Sequence, residues 1–154
     1  MKSLVLVVLA FFLLLMGACP RAAPRFDMRS IDGGSGLTLQ IPSDFEATPS
    51  GDALRVFSPK KERSRSPLYI MITVSTEKPR LSAERTKHVA GRSVAYEVQE
   101  EEGGSGGNVV HLRAWVESGG RYIVLDSAVQ PDSGGDDQFQ AEWAILPTLH
   151  WASR

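Results

Sequence analysis

Residues 68–74 read Leu-Tyr-Ile-Met-Ile-Thr-Val, and this stretch decides the fold. The branched side chains Ile70, Ile72 and Val74 fall on one face of an extended chain, because side chains alternate along a strand. The side chains between them are also largely apolar. Such a run is typical of a strand that is covered on both faces, so we predict a central strand here.

Shorter alternating runs predict the rest of a sheet around this strand. In each, apolar residues recur at every second position, as along a half-buried strand. The last four runs form two pairs, and a glycine-containing turn joins the two runs of each pair, which indicates two hairpins. The predicted strands and hairpins lie at residues 37–41, 54–58, 88–99 and 109–129.

The last segment has the period of a helix. Phe139, Trp143 and Leu146 recur at helical spacing, and Pro147 ends or kinks the helix early because proline breaks the hydrogen-bond ladder. We expect Phe139 and Trp143 to be buried between helix and sheet. The predicted fold class is therefore α+β, an antiparallel sheet of about six or seven strands with a C-terminal helix packed on it.

The chain begins with an export signal. Lys2 precedes an apolar run at residues 4–16, and small residues stand directly before Cys19, the only cysteine. A charged start, an apolar middle and a small-residue exit are typical of secretory signals. Residues 15–19 also resemble a bacterial lipobox. That resemblance implies cleavage before Cys19, lipidation of its sulfur, and a lipid anchor that holds the mature protein on a membrane in the periplasm.

Two alternatives stay open for this segment. An uncleaved anchor helix needs roughly 20 apolar residues, more than residues 4–16 provide. Ordinary signal peptidase cleavage near Ala22 and Ala23 would instead leave a soluble periplasmic protein. A single cysteine excludes a disulfide framework and a thiolate zinc site. On the lipobox interpretation, the chain divides into a signal at 1–19, a tether at 20–35 and a single α+β domain at 36–154.

Charge is distributed unevenly along the chain. Residues 20–96 hold 13 Lys and Arg against 8 Asp and Glu, whereas residues 97–142 hold 2 against 10. The whole chain has a formal net charge of -1, and it lacks the basic, aromatic-containing groove of a nucleic-acid binder. The asymmetry indicates either an interaction surface or solvated charged faces, and nucleic acid is a poor partner for such a charge balance.

Residue patterns that support catalysis are missing from the sequence. His88, His111 and His150 are far apart, and no metalloprotease, nucleophile-elbow or phosphate-loop motif accompanies them. The glycine-rich pieces at 103–107 and 119–120 resemble hairpin tips rather than phosphate-binding loops. We therefore predict a protein that is not an enzyme, with no catalytic residue, no metal site and no cofactor of its own.

The acidic loops are the candidate binding elements. Glycine permits close approach of a backbone, and carboxylates form charge-assisted hydrogen bonds, so slim acidic loops can enter a basic or metal-bearing cleft. Solvated connections that keep the domain soluble are the alternative. The aspartates of the second loop, Asp132, Asp136 and Asp137, do not match the spacing of a dedicated calcium loop. Calcium therefore stays open only as an ion shared with a partner. The predicted partner-binding residues are Glu100, Glu101, Glu102, Ser105, Asn108, Asp132, Asp136 and Asp137.

The order of elements resembles the PsbP-like sandwich domains. The resemblance is carried by the opening strands at 37–45, the apolar strand, the two hairpins, and the closing pairs Ile145-Leu146 and His150-Trp151. It implies an envelope lipoprotein, and among these are immunity proteins of type VI secretion that neutralise peptidoglycan-cutting toxins. We therefore expect a periplasmic inhibitor of a cell-wall hydrolase. The alternative is an accessory lipoprotein that binds an envelope complex.

Overall fold

The computed structural model describes residues 26–58, 69–102, 108–129 and 136–152. Cys19 and the rest of the predicted signal lie outside these ranges. Within them the strands are β1 (Met28–Gly34), β2 (Leu37–Pro42), β3 (Glu46–Ser50), β4 (Ala53–Phe57), β5 (Tyr69–Ser75), β6 (Arg85–Val89), β7 (Arg92–Glu102), β8 (Asn108–Ser118), β9 (Arg121–Val129) and β10 (His150–Trp151).

The strands form two antiparallel sheets. The larger has seven strands in the order β3-β4-β5-β9-β8-β7-β6, and the smaller has three in the order β1-β2-β10. A short helix, α1 (Gln140–Ile145), follows a 3-10 turn at Asp136–Phe139 and continues into a second 3-10 turn at Leu146–Thr148. The predicted fold class, an antiparallel sheet of about seven strands with a C-terminal helix packed on it, is confirmed.

The small sheet and α1 together cover one face of the large sheet. Strand alternation supplies the apolar side chains of that face, as in β8, where every second residue from Val110 to Val116 is buried. Burial of this area is the main stabilising term of the fold. The largest fully buried apolar side chains are Ile41, Val56, Ile70, Ile72, Val94, Leu112, Ile123, Leu125, Ile145, Leu146 and Leu149.

The uncovered side of the large sheet corrects one expectation. In β5, Ile70 and Ile72 are buried, but Met71 is half-buried and Tyr69 is 40% exposed. The prediction that this strand is covered on both faces is therefore wrong at its start, because the second layer lies on one face only. We call the other side the outer face of the large sheet.

The C-terminal helix buries a different residue from one of the two that we predicted. Phe139 is buried as predicted, but Trp143 is only half-buried, and Glu142 is fully buried in its place. Residues three apart share a face of a helix, so Glu142 and Ile145 point into the core together while Trp143 lies on the flank. The Trp143 ring packs edge-on against Tyr96, with ring centroids 5.2 Å apart.

The predicted tether at 20–35 contains a strand. β1 pairs with β2 from Met28 opposite Pro42 to Gly34 opposite Leu37, and the half-buried side chains of Met28 and Ile31 pack against the core. Because this stretch is rich in Gly and Ser, its composition did not indicate a strand, although it contains two apolar residues and β2 is available to pair with it. The tether prediction is therefore wrong for residues 28–34.

The C-terminal end of the described chain packs against Gly36, a position that requires glycine. Gly36 has a positive φ of 99°, and its carbonyl accepts a 3.0 Å hydrogen bond from the Ala152 backbone N–H. A Cβ on Gly36 would lie 2.5 Å from the Ala152 carbonyl oxygen, too close for any side chain. Arg92 holds the same segment by donating from Nη1 to the carbonyls of Pro147 and Leu149. No helix within the described ranges is long and apolar enough to cross a membrane.

Candidate functional site

Three connections of the large sheet leave from one edge of it. β4 ends at Phe57 opposite Tyr69, where β5 begins, and β7 ends at Glu102 opposite Asn108, where β8 begins. β9 ends at Val129, which pairs with a residue two places into β8. The chain therefore leaves the described strands toward residues 59–68, 103–107 and 130–135 at the same edge, which we call the loop-bearing edge.

The predicted acidic loops thus have their bases side by side, as the binding hypothesis requires. Ser105 and Asp132 lie outside the described residues. Asp136 and Asp137 form the start of the 3-10 turn that leads to α1, and their side chains lie outside the described part of the chain. α1 has no side-chain cap at its first turn.

Strand parity divides the acidic triplet at the end of β7. Glu100 is opposite the buried Val110 on the α1 side of the sheet, so Glu101 points to the outer face. Asn108 Nδ2 donates a 2.7 Å hydrogen bond to Glu100 Oε1. All three glutamates are exposed. The triplet therefore presents carboxylates on both sides of the hairpin rather than as one cluster.

The outer face carries a row of charges next to this edge. Glu97 of β7, Arg113 of β8 and Asp126 of β9 are direct cross-strand partners, so their side chains stand side by side. Arg113 Nε lies 3.4 Å from Asp126 Oδ1. Closer to the loop-bearing edge, His111 Nε2 lies 3.6 Å from Glu101 Oε2, and both side chains are well exposed.

Glu97 positions the long connection between β5 and β6. Its side chain is buried, and Oε2 accepts hydrogen bonds from the backbone N–H groups of Ser82, at 2.7 Å, and Ala83, at 3.3 Å. The same connection places Lys78 Nζ 5.1 Å from the centre of the Trp115 ring. It therefore covers the half of the outer face that is remote from the loop-bearing edge.

The uncovered half of the outer face is a shallow groove of about 480 Å³. It lies between the β5–β6 connection and the loop-bearing edge, and the sequence did not predict it. Residues on four strands and that connection form it. Its charged and aromatic lining residues are Tyr69, Arg80, Glu97, Glu101, His111, Arg113 and Asp126.

The pKa of Asp126, in the middle of the groove, is shifted upward. Burial raises the pKa of this carboxyl above its ordinary value, the positive charge of Arg113 opposes that shift, and the nearby Glu97 adds to it. The Arg113 guanidinium therefore does not fully compensate Asp126. No group of three or more His, Cys, Asp or Glu among the described residues could hold a metal ion.

Comparison with known proteins identifies the family of this chain. The model of the type six secretion immunity 3 domain matches residues 38–150, so the chain belongs to this family. Its members are immunity proteins, non-enzymatic inhibitors of a cognate type VI effector. The protein is therefore not an enzyme, and its partner is an effector of type VI secretion.

A relative and a solved structure extend the comparison. The immune protein Tsi3 of Pseudomonas aeruginosa is 27% identical over 146 residues, which cover 95% of this chain and 96% of Tsi3. A crystal structure from Bacteroides thetaiotaomicron has a TM-score of 0.58 and 14% identity, and the match covers 80% of this chain. The chain matches only 48% of that structure, so this likeness concerns the fold alone.

Proposed function

We propose that this immunity protein acts in the periplasm, held on a membrane through a lipid on Cys19, and blocks an effector that degrades peptidoglycan. The export signal and the lipobox resemblance at residues 15–19 support the location. The resemblance to PsbP-like envelope lipoproteins supports both the finer fold assignment and the effector class. Membership of an immunity family favours inhibition over the accessory role in an envelope complex.

The observation that carries the proposal is the common edge of the acidic connections. Glu102 and Asn108 bound one of them, and Val129, beside them in the sheet, begins the other. The strands therefore place the starting points of two acidic, glycine-containing segments at one edge of the sheet. Such segments can fill a cleft that binds an extended polymer, because glycine allows close approach and carboxylates bind basic or metal-bearing groups.

The Asn108 hydrogen bond to Glu100 supports this role. It joins the first residue of β8 to β7 two residues before that strand ends, so it helps to hold the base of the acidic connection before the partner arrives. Ordering before binding improves affinity because less conformational entropy is lost in the complex. We propose Glu100, Glu101, Glu102, Ser105, Asn108, Asp132, Asp136 and Asp137 as the effector-binding residues.

Neutralisation in living cells tests the proposal. The cognate type VI effector would be exported to the periplasm of a laboratory bacterium, with this protein co-expressed either with its own residues 1–25 or without them. We expect lysis by the effector alone, protection by the full chain, and no protection by the version that lacks the signal. Equal protection by both versions would contradict a periplasmic role, and lysis with both would contradict the effector assignment.

A further inference from the structure

The groove on the outer face holds more negative than positive charge. Three carboxylates line it, on Glu97, Glu101 and Asp126, against two guanidinium groups, on Arg80 and Arg113. His111 adds a positive charge only when it is protonated. A ligand that enters the groove therefore meets a surplus of carboxylate.

Within the charged row, Asp126 is the carboxylate whose negative charge is least compensated. Arg113 stands between two carboxylates, and the 3.4 Å between its Nε and Asp126 Oδ1 is longer than an ordinary hydrogen bond. Glu97 uses Oε2 for the backbone of the β5–β6 connection. A carboxylate can accept a planar, bidentate pair of hydrogen bonds, and the Arg113 contact leaves that capacity largely unused.

The neighbouring strand on the other side of Asp126 supplies no further cation. Met71 of β5 is its direct cross-strand partner there, and Arg55 follows on β4, two strands and about 10 Å away. Arg55 lies over aromatic rings instead, with its guanidinium carbon 5.2 Å from the Phe57 ring centre and 5.3 Å from that of Tyr69. The surface of the groove beside Asp126 is therefore suited to a cation from another molecule.

We propose that this groove binds a cationic side chain of the cognate effector, arginine in preference to lysine, between the Asp126 carboxylate and the exposed ring of Tyr69. The identity of the partner rests on the proposed function, whereas the chemistry of the groove does not. The contact lies on the outer face of the sheet, where Glu101 of the acidic triplet also lines the groove. Arginine is favoured since its planar fork matches a carboxylate bidentately and stacks on aromatic rings.

Other ligand classes fit the groove less well. An anion such as phosphate would face three carboxylates. A neutral saccharide could bond to the polar lining but would leave the charge surplus in place. A divalent cation lacks a suitable set of ligands within the described residues.

A titration without the effector tests the chemistry of the groove. Nα-acetyl-arginine methylamide would be titrated into the ¹⁵N-labelled protein, with Asp126→Asn as the test variant and the exposed turn residue Asp52→Asn as the matched control. We expect saturable amide shifts at Tyr69 and Asp126, affinity at least fivefold weaker in Asp126→Asn, and no change in Asp52→Asn. Affinity should fall as the pH is lowered through the Asp126 pKa, because the protonated carboxyl loses its charge.

Several results would overturn the inference. They are the absence of saturable shifts, equal affinity in Asp126→Asn, or tighter binding of diacetylchitobiose or inorganic phosphate than of the arginine probe. Tighter binding of Nα-acetyl-lysine methylamide would overturn the preference for arginine. Tyr69→Leu, at the exposed rim, replaces the test variant if Asp126→Asn fails to fold, and a thermal melt decides that point.

Calorimetry with the effector then separates this inference from the proposed function. We expect Asp126→Asn to weaken effector binding at least tenfold, with Asp52→Asn equal to wild type. Effector binding that is unchanged in Asp126→Asn would overturn the groove as a contact while leaving the immunity function intact. Failure of the wild type to bind the effector would contradict the proposed function. The probe titration would still test whether the groove binds an arginine side chain.

Discussion

Ser127 of β9 donates a 2.6 Å hydrogen bond to Glu142 of α1, and both side chains are buried in the core. A carboxylate in a core is tolerated only with polar partners, since an unpaired buried acceptor is costly. The bond also connects the C-terminal helix to the central part of the large sheet. It therefore positions the helix against the sheet.

Ser127→Ala should lower the free energy of unfolding by about 1–3 kcal/mol, because it removes a donor from a buried acceptor. Urea unfolding followed by circular dichroism measures the loss. Ser93→Ala, at an exposed site of β7, is the control and should change stability by under about 0.5 kcal/mol.

A double-mutant cycle isolates the pair. The combined variant Ser127→Ala/Glu142→Ala should be less destabilised than the sum of the single variants, with a coupling energy of about 0.5–3 kcal/mol. Additive losses would mean that the hydrogen bond does not link helix and sheet energetically.

The two aromatic residues of the C-terminal segment should differ in importance. Phe139→Ala should cost about 3–5 kcal/mol, since Phe139 is 5% exposed and its loss leaves a cavity. Trp143→Ala should cost less, because the ring lies on the flank of α1, edge-on to Tyr96 and 4.2 Å from Lys87 Nζ. Thermal melts of both variants make the comparison, and a larger loss for Trp143→Ala would place that ring deeper than the structure does.

Asp126 should make stability depend on pH in a particular direction. Its folded pKa is raised by burial, so the folded state holds the proton more tightly than the unfolded state, and the ionised form is disfavoured. As pH rises from the ordinary pKa through the raised one, wild type should lose stability relative to Asp126→Asn. Below that window the difference should be constant.

Melting temperatures of both proteins between acidic and neutral pH test this, with Asp52→Asn as the matched neutralisation. If the melting temperature of Asp126→Asn instead falls relative to that of wild type as the pH rises, the attraction of Arg113 outweighs the desolvation, and the pKa of Asp126 is not raised.

Most of the large sheet could be predicted from sequence because strand periodicity is a local signal. The apolar run at 68–74 and the two hairpins became β5 to β9. What failed depended on partners that are distant in sequence. β1 needs β2 to satisfy its backbone, and β10 exists only because Gly36 leaves room for residue 152. The burial of Glu142 required knowing that Ser127 would face it.

The site was predictable in part for the same reason. A run of acids beside glycines is a local signal of exposure, and Glu100, Glu101 and Glu102 are exposed at the end of β7, while their role in binding stays a prediction. The groove was not, because Glu97, Arg113 and Asp126 come together only through the pairing of three strands. The hairpin of β8 and β9 would have aligned Arg113 with Asp126, since its turn defines the pairing of its own strands, but Glu97 lies on β7, which neither predicted hairpin pairs with β8.

Membrane attachment depends on one side chain. Cys19→Ser should move the protein from the membrane fraction to the soluble periplasmic fraction, or stop its maturation, because the thiol is the proposed site of the lipid. Fractionation with metabolic fatty-acid labelling measures both. Identical distribution and labelling of wild type and variant would contradict the lipobox interpretation and favour cleavage near Ala22 and Ala23.

The most direct test of the central claim is calorimetric binding of the effector to a variant that lacks the acidic triplet. Glu100→Gln/Glu101→Gln/Glu102→Gln should weaken binding more than tenfold at unchanged melting temperature, since loss of a desolvated charge contact costs about 2–5 kcal/mol and tenfold is about 1.4 kcal/mol. The control removes three exposed acids at the opposite edge, Asp52, Glu77 and Glu117, and should bind like wild type. If the triplet variant binds as tightly as that control, the loop-bearing edge does not recognise the effector.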